Sequence, residues 1–147
     1  MKIKKHLIAA SLLVIAGSVV AQPPQKSPEE KALEYRKSIF TALSWKSGQL
    51  DAAKTAGDAA AFRQHAEDMV YLGGLITEGF IPNSLIEGSE AKPEVWEDWD
   101  GFVEKADNFQ ALATELASPG YDMADFDPRG FGGDACGSCH RDFKERD

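Results

Sequence analysis

The chain has only two cysteines in 147 residues. With no third cysteine, nothing is left to complete the thiolate-rich shell of a structural zinc site. Positive charge is also scarce: 16 basic residues face 24 acidic ones, a net charge of −8. A surface this acidic repels nucleic acid and anionic lipid and suits, if any charged protein, a basic redox partner. Long apolar runs are few. The longest, Leu7–Val20, falls short of the roughly 20 residues a membrane-spanning helix needs. No stretch alternates apolar and polar residues with period two, and no Asn-Gly or Asp-Gly turn sits between such alternations, which argues against a β fold. There is no nucleophile–base pair, phosphate-binding loop or second metal cluster.

The two cysteines stand together, in Cys136-Gly137-Ser138-Cys139-His140. CxxCH reads as a c-type haem attachment motif. Two thiols three residues apart lie on one helical turn and can each add to a vinyl group of the same porphyrin. The histidine that follows can offer an imidazole nitrogen to the iron. The motif implies one covalently attached haem c per chain. A plain disulfide or a thioredoxin-like dithiol is the alternative, and no βαβ pattern surrounds the motif to support it.

Met1–Ala21 reads as a secretory signal peptide, with Lys2, Lys4 and Lys5 before the apolar stretch and Val19-Val20-Ala21 at the cleavage point. An uncleaved anchor is the alternative. Without the leader's three lysines, residues 22–147 carry −11. They form one domain by length, expected in the periplasm and free of the membrane.

Four helices can be read along this domain. Ser27-Pro28-Glu29-Glu30 combines an N-cap, a proline at the first turn and a capping box. A helix is expected from there to Ser47 or Leu50, with Leu33, Phe40, Leu43 and Leu50 as its apolar seam. Asp58 caps a second helix over 59–80, with Phe62, Met69 and Ile76 spaced by sevens beside Ala66, Gly73 and Phe80. Gly73-Gly74 is its weak point and permits close approach of a neighbour. After an Ile81–Lys92 loop, Pro93 opens a third helix to Ala117, on which Trp99, Ala106, Ala113 and Phe102, Phe109, Leu116 repeat by sevens. A Gly-rich connection, Tyr121–Gly133, leads to a short last helix carrying the haem motif to Lys144. The expected fold is all-α: an antiparallel up-down-up-down four-helix bundle with haem attached near the C-terminus.

That arrangement resembles cytochrome c′, the class II c-type cytochromes. Tyr35-Arg36-Lys37-Ser38-Ile39-Phe40 resembles the family's first-helix segment Tyr-Arg-Gln-x-x-Met/Leu. Ala91-Lys92-Pro93-Glu94-Val95-Trp96 resembles its third-helix opening, Ala-Lys/Arg-Pro-Glu-Ile-Trp. Phe102 and Phe109-Gln110 fall where the family has them. The likeness implies that Cys136 and Cys139 hold the haem and that His140 is the proximal ligand. It puts Arg36, with Lys37 in place of glutamine, near a haem propionate; on composition alone Arg36 reads as a surface arginine. Lys144 falls beside the proximal histidine, and Ser89 and Glu90 at the haem edge. Two departures stand out: Thr77 where the family often has tryptophan, and the Gly-rich run Asp127–Asp134 before the motif.

Phe40 occupies the position that, in the family, faces the distal side of the iron. Phenylalanine cannot ligate iron, so the resemblance implies a five-coordinate, high-spin haem under an apolar cap. Such a site binds NO and CO against steric resistance and gives O₂ no hydrogen bond. The alternative is an electron-transfer cytochrome with a six-coordinate haem, in which His65, Met69 or Met123 supplies the second ligand and a periplasmic redox partner takes the electron. An enzymatic role is not expected, since Phe40 offers no acid–base group. The family likeness also implies a homodimer through the first two helices. Tyr35, Trp45, Trp96 and Trp99 read as core or dimer-interface residues, and Glu97, Asp98 and Asp100 as a solvated helix face.

Overall fold

A computed structural model describes residues 25–146; the leader Met1–Ala21 lies outside the described residues. No helix among them is long and apolar enough to cross a membrane. The fold is the expected four-helix bundle, with no strand among the described residues and a single isolated bridge, Ala91 to Lys144. α1 (Pro28–Ala56) starts where the capping box lies: Glu30 N–H donates to Ser27 Oγ, and Ser27 N–H donates to the Glu30 carboxylate. It runs past the expected Leu50 to 29 residues, about 43 Å at 1.5 Å per residue. Gly48 does not stop it. Gly57 does, at φ 69°, where its N–H reaches the Ala53 and Lys54 carbonyls. A left-handed C-cap of this kind favours glycine, which has no side chain to clash.

α2 (Ala59–Gly73) begins at the Asp58 cap but ends seven residues earlier than its apolar periodicity suggests. The register breaks at Gly73-Gly74, and one 3₁₀ turn, Ile76–Gly79, carries the buried Ile76 and Phe80 onward. Gly73 is there for contact: a Cβ on it would lie 3.0 Å from the Phe109 ring. The third helix divides in two. α3 (Glu94–Glu97) is one turn, and Asp98, far from being only a solvated acid, caps α4 (Trp99–Ala117) through Gly101 N–H. Phe102, Phe109, Leu116, Ala106 and Ala113 are buried as their spacing predicts, whereas Trp99 is 38% exposed.

The Gly-rich run before the motif is helical after all. Asp127 caps α5 (Pro128–Phe131), a π-helical segment Gly132–Gly137 follows, and α6 (Ser138–Phe143) completes the fourth helix. Pro128 sits at the first turn, where its fixed φ helps and its missing N–H is harmless. The glycines do lower helix propensity. Phe131, 8% exposed among Phe109 and Phe126, anchors the segment to the core instead. α2 packs on both α1 and α4, and α4 packs on α6.

Candidate haem site

The bundle does not close at one end. A cavity of ≈ 950 Å³ lies between α1, the loop before α3, α4 and α6, at the upper end of the range for small-molecule and cofactor sites. Its apolar lining includes Phe40, Phe80, Val95, Phe102 and Phe143. Phe102 joins two of the other rings, lying 4.6 Å from Phe80 and 5.4 Å from Phe143, both edge-on. Phe40 meets Phe80 edge-on at 6.3 Å. Unlike its seam-mates Leu43 and Leu50, Phe40 is only half-buried, because it faces the cavity and not a neighbouring helix.

Cys139 and His140 both line this cavity; Cys136 sits one turn back, packed against the core. Both thiols are free, so neither is spent in a disulfide. Burial raises both thiol pKa values, that of Cys139 to about 11. For His140, burial and then Lys144 lower the pKa, opposed by Glu90. Both effects favour the neutral imidazole, the form that ligates a metal. Among the described residues, no three His, Cys, Asp or Glu side chains converge to hold an ion. A single histidine suits an iron that already has four porphyrin nitrogens, and would not suffice for a bare metal ion.

Arg36 lies on the same cavity and is 4% exposed, which rules out the surface reading. Its Nη1 donates to Gly79 O (3.1 Å) and Ser84 Oγ (2.9 Å), and its Nη2 to Ser84 O (2.8 Å) and Ser89 Oγ (2.9 Å). The guanidinium stacks 5.0 Å from the Phe80 centroid and 5.8 Å from that of Trp96. Burial lowers its pKa, and no carboxylate among the described residues pairs with it to offset that cost. A buried cation without an anion is expensive. A porphyrin would bring the missing charge on its propionates, so the donor set, the apolar lining and this uncompensated cation all fit a haem.

Ser84, fully buried, is the site residue that sequence reasoning missed. Pro82 and Asn83, the latter at φ 61°, form a turn closed by Ser84 N–H to Ile81 O. The Pro-Asn pair signals the turn; nothing local signals that the serine behind it will meet Arg36. The other expected residues divide. Lys37, Glu90 and Lys144 line the cavity, with Lys144 Nζ 2.9 Å from the Glu90 carboxylate. Ser89 does not line it, but accepts from Arg36 and from Ala91 N–H. Glu90 O accepts from Glu145 N–H (2.8 Å) and Phe143 O from Lys92 N–H (3.0 Å), clasping the loop to the tail of α6. His65, Met69 and Met123 do not reach the cavity: His65 lies 3.3 Å from Lys46 Nζ, Met69 is core, and Met123 packs on the core from its loop. Thr77 lies on the 3₁₀ turn and not on α2.

Comparison with known proteins agrees with this geometry. The family model described as cytochrome C′ matches residues 31–144. A cytochrome c′ from Rubrivivax gelatinosus is 35% identical over 122 residues, 78% of this chain and 95% of that one. Its crystal structure superposes with a TM-score of 0.68 at 34% identity, covering 80% and 97% of the two chains. A nitric oxide complex of a variant cytochrome c′ from Alcaligenes xylosoxidans is 29% identical, with a TM-score of 0.65 and coverage of 80% and 97%.

Proposed function

The chain belongs to the cytochrome c′ family, and on that premise we propose that it is a periplasmic haem c protein whose five-coordinate, high-spin iron binds NO and CO and exchanges one electron. When bound, the haem supplies an open iron site for a diatomic gas and a one-electron redox couple. The residues do the rest. Cys136 and Cys139 anchor the porphyrin, one haem per chain, and His140 presents its nitrogen as the protein ligand. Arg36 meets a propionate from within a cage of Gly79, Ser84 and Ser89, with Lys37 beside it. Glu90 and Lys144 bridge the rim across the His140 side.

The observation that carries this reading is the composition of the cavity. Phe40 shares it with His140, while His65, Met69 and Met123 do not reach it. Phe40 excludes water and offers a diatomic no hydrogen bond, which favours NO and CO over O₂. The nitric oxide complex of the Alcaligenes relative supports the choice of gas. We infer binding and not turnover, since the apolar cap has no acid–base group to cleave a peroxide. We also infer a homodimer through α1 and α2, where Trp45 is 65% and Tyr71 70% exposed.

Absorption and resonance Raman spectra of the purified protein, ferric and ferrous, then with NO, test the reading. High-spin bands in both states and a nitrosyl spectrum on addition of NO are expected. A low-spin ferrous spectrum indifferent to NO would sink it and favour an electron carrier with a hidden sixth ligand.

A further inference from the structure

Cys139 and His140 reach the cavity from α6, and α6 is its least secured wall. On the N-terminal side stands the pair Gly132-Gly133. A Cβ at either would meet nothing within 4 Å, and neither has a positive φ. Neither close approach nor backbone conformation therefore asks for glycine at these two positions. What glycine brings there is freedom, since it favours the unwound chain over the helix. The pair opens the π-helical stretch Gly132–Gly137, a kind of helix often found at functional sites. Phe131, packed on Phe109 and Phe126, fixes the chain just before the pair. Beyond it, the buried side chains of residues 134–146 are Ala135 and Phe143. The rest of the attachment is polar. Asn108 Nδ2 donates to Asp134 O (3.2 Å), and Lys105 pairs with Asp142 (3.6 Å). At the far end is the clasp to residues 90–92. Lys92 Nζ reinforces it through Arg141 O (3.0 Å) and Asp142 O (3.3 Å), as does the Lys144–Glu90 pair.

We propose that residues 134–146 form a flap, hinged at Gly132-Gly133 and latched by Phe143 and the clasp, that opens in the haem-free chain to admit the porphyrin and present both thiols. The proposal rests on the reading of CxxCH as a haem attachment site. A segment with few buried apolar contacts and water-exposed polar ties opens at less cost than the whole fold. α2 keeps its packing on α1 and α4 while the flap swings, because those contacts do not involve it. Opening removes one wall of the ≈ 950 Å³ cavity. It also carries Cys136 and Cys139, half-buried when the flap is shut, into solvent. In attachment each thiol adds its S–H across one vinyl C=C, sulfur to one carbon and hydrogen to the next, so no oxidant or reductant is consumed. The haem is thus received by a folded three-helix frame and not by an unfolded chain.

The test is thiol labelling of the haem-free full chain by iodoacetamide in rising urea, beside global unfolding followed by far-ultraviolet circular dichroism. The urea slope of an opening scales with the surface it exposes, and the flap is 13 of the 122 described residues. Both thiols are expected to be labelled well below the global transition, with a slope about a tenth of the global one. Gly132→Ala together with Gly133→Ala is expected to slow labelling about tenfold, and Lys92→Met to quicken it about threefold. Asp58→Ala, which removes the α2 cap, is expected to lower the global midpoint and leave the labelling rate without urea unchanged. Labelling with the full global slope, a double alanine variant labelled at the native rate, or a haem-free chain without helix would overturn the flap. Covalent attachment is then followed by mass after addition of ferrous haem under a reductant, and the double variant is expected to slow it by the same factor. Attachment at the native rate in that variant would overturn the flap's role. A chain that is labelled as expected yet gains no haem would overturn the attachment reading, and that role with it.

Discussion

Replacing Arg36 by methionine removes one buried cation and four hydrogen bonds at once. The bonds run to Gly79 O, Ser84 Oγ, Ser84 O and Ser89 Oγ. Hydrogen bonds to a charged donor contribute about 1.5–3 kcal/mol each. Against that, burying an ion costs several kcal/mol, which the methionine variant escapes. Ser84 keeps one partner, since its hydroxyl still donates to Ile81 O at 2.7 Å. The two terms leave a net loss of about 3 kcal/mol in the haem-loaded protein. At a urea slope of about 2 kcal/mol per molar, the unfolding midpoint falls by about 1.5 M. Arg36→Lys sharpens the test. Lysine keeps the charge but presents three donors from one atom, so it cannot span the same four acceptors. If a propionate meets this cation, the lysine variant lies between native and methionine, about 1 kcal/mol above the latter. Urea unfolding followed by far-ultraviolet circular dichroism reads all three. A methionine variant within 0.5 kcal/mol of native would show that the cage does not hold the loop. A lysine variant no more stable than methionine would show that no anion faces this position.

Three more outcomes are expected. Phe40→Ala removes the ring that, on the proposed reading, swings aside for a ligand, along with its edge contact to Phe80. Such a displacement costs about 1–2 kcal/mol, so NO should bind roughly tenfold faster in stopped flow, and an unchanged rate would clear Phe40 of gating. Gly79→Ala places a Cβ 2.7 Å from Arg36 Cβ and 3.1 Å from its backbone nitrogen; thermal unfolding should show a loss of about 1–3 kcal/mol. Lys46→Met breaks the 2.5 Å pair with Asp68, whose carboxyl pKa is lowered chiefly by that lysine. A lowered carboxylate pKa stabilises the fold above the unfolded value near 4 and loses that stabilisation as pH falls through the folded value. The gap between native and variant should therefore be under about 1 kcal/mol at pH 7 and close below pH 4. A gap that persists at pH 2.5 would assign it to packing.

The bundle was legible because its apolar stripes are long and regular. Phe102, Phe109 and Leu116 recur every seventh residue and are all buried. Boundaries were legible where a cap has a chemical signature, as at Ser27 and Asp58, and illegible where packing overrides propensity. The glycines of 130–133 advertise a loop, yet Phe131 and its packing hold them in a helix. In the site, CxxCH was legible because a histidine directly after the second cysteine adds an iron ligand that a bare CxxC lacks. The Arg36 cage was not, since Ser84 is 48 residues away and only the folded turn brings it close.

The cavity walls are drawn from the two ends of the domain. α1 supplies residues 33–49, and the clasp with 89–92 holds the segment 139–145 against them. Closing a loop of about a hundred residues costs about 4 kcal/mol in chain entropy. The pocket therefore has no meaning until both segments are made, since about a hundred residues separate its first wall from its last. Contacts so distant in sequence also slow folding relative to a bundle wired only through neighbours. A group joined covalently to α6 and gripped by α1 would act as a cross-link between segments about a hundred residues apart. Its arrival would complete the fold as well as the site.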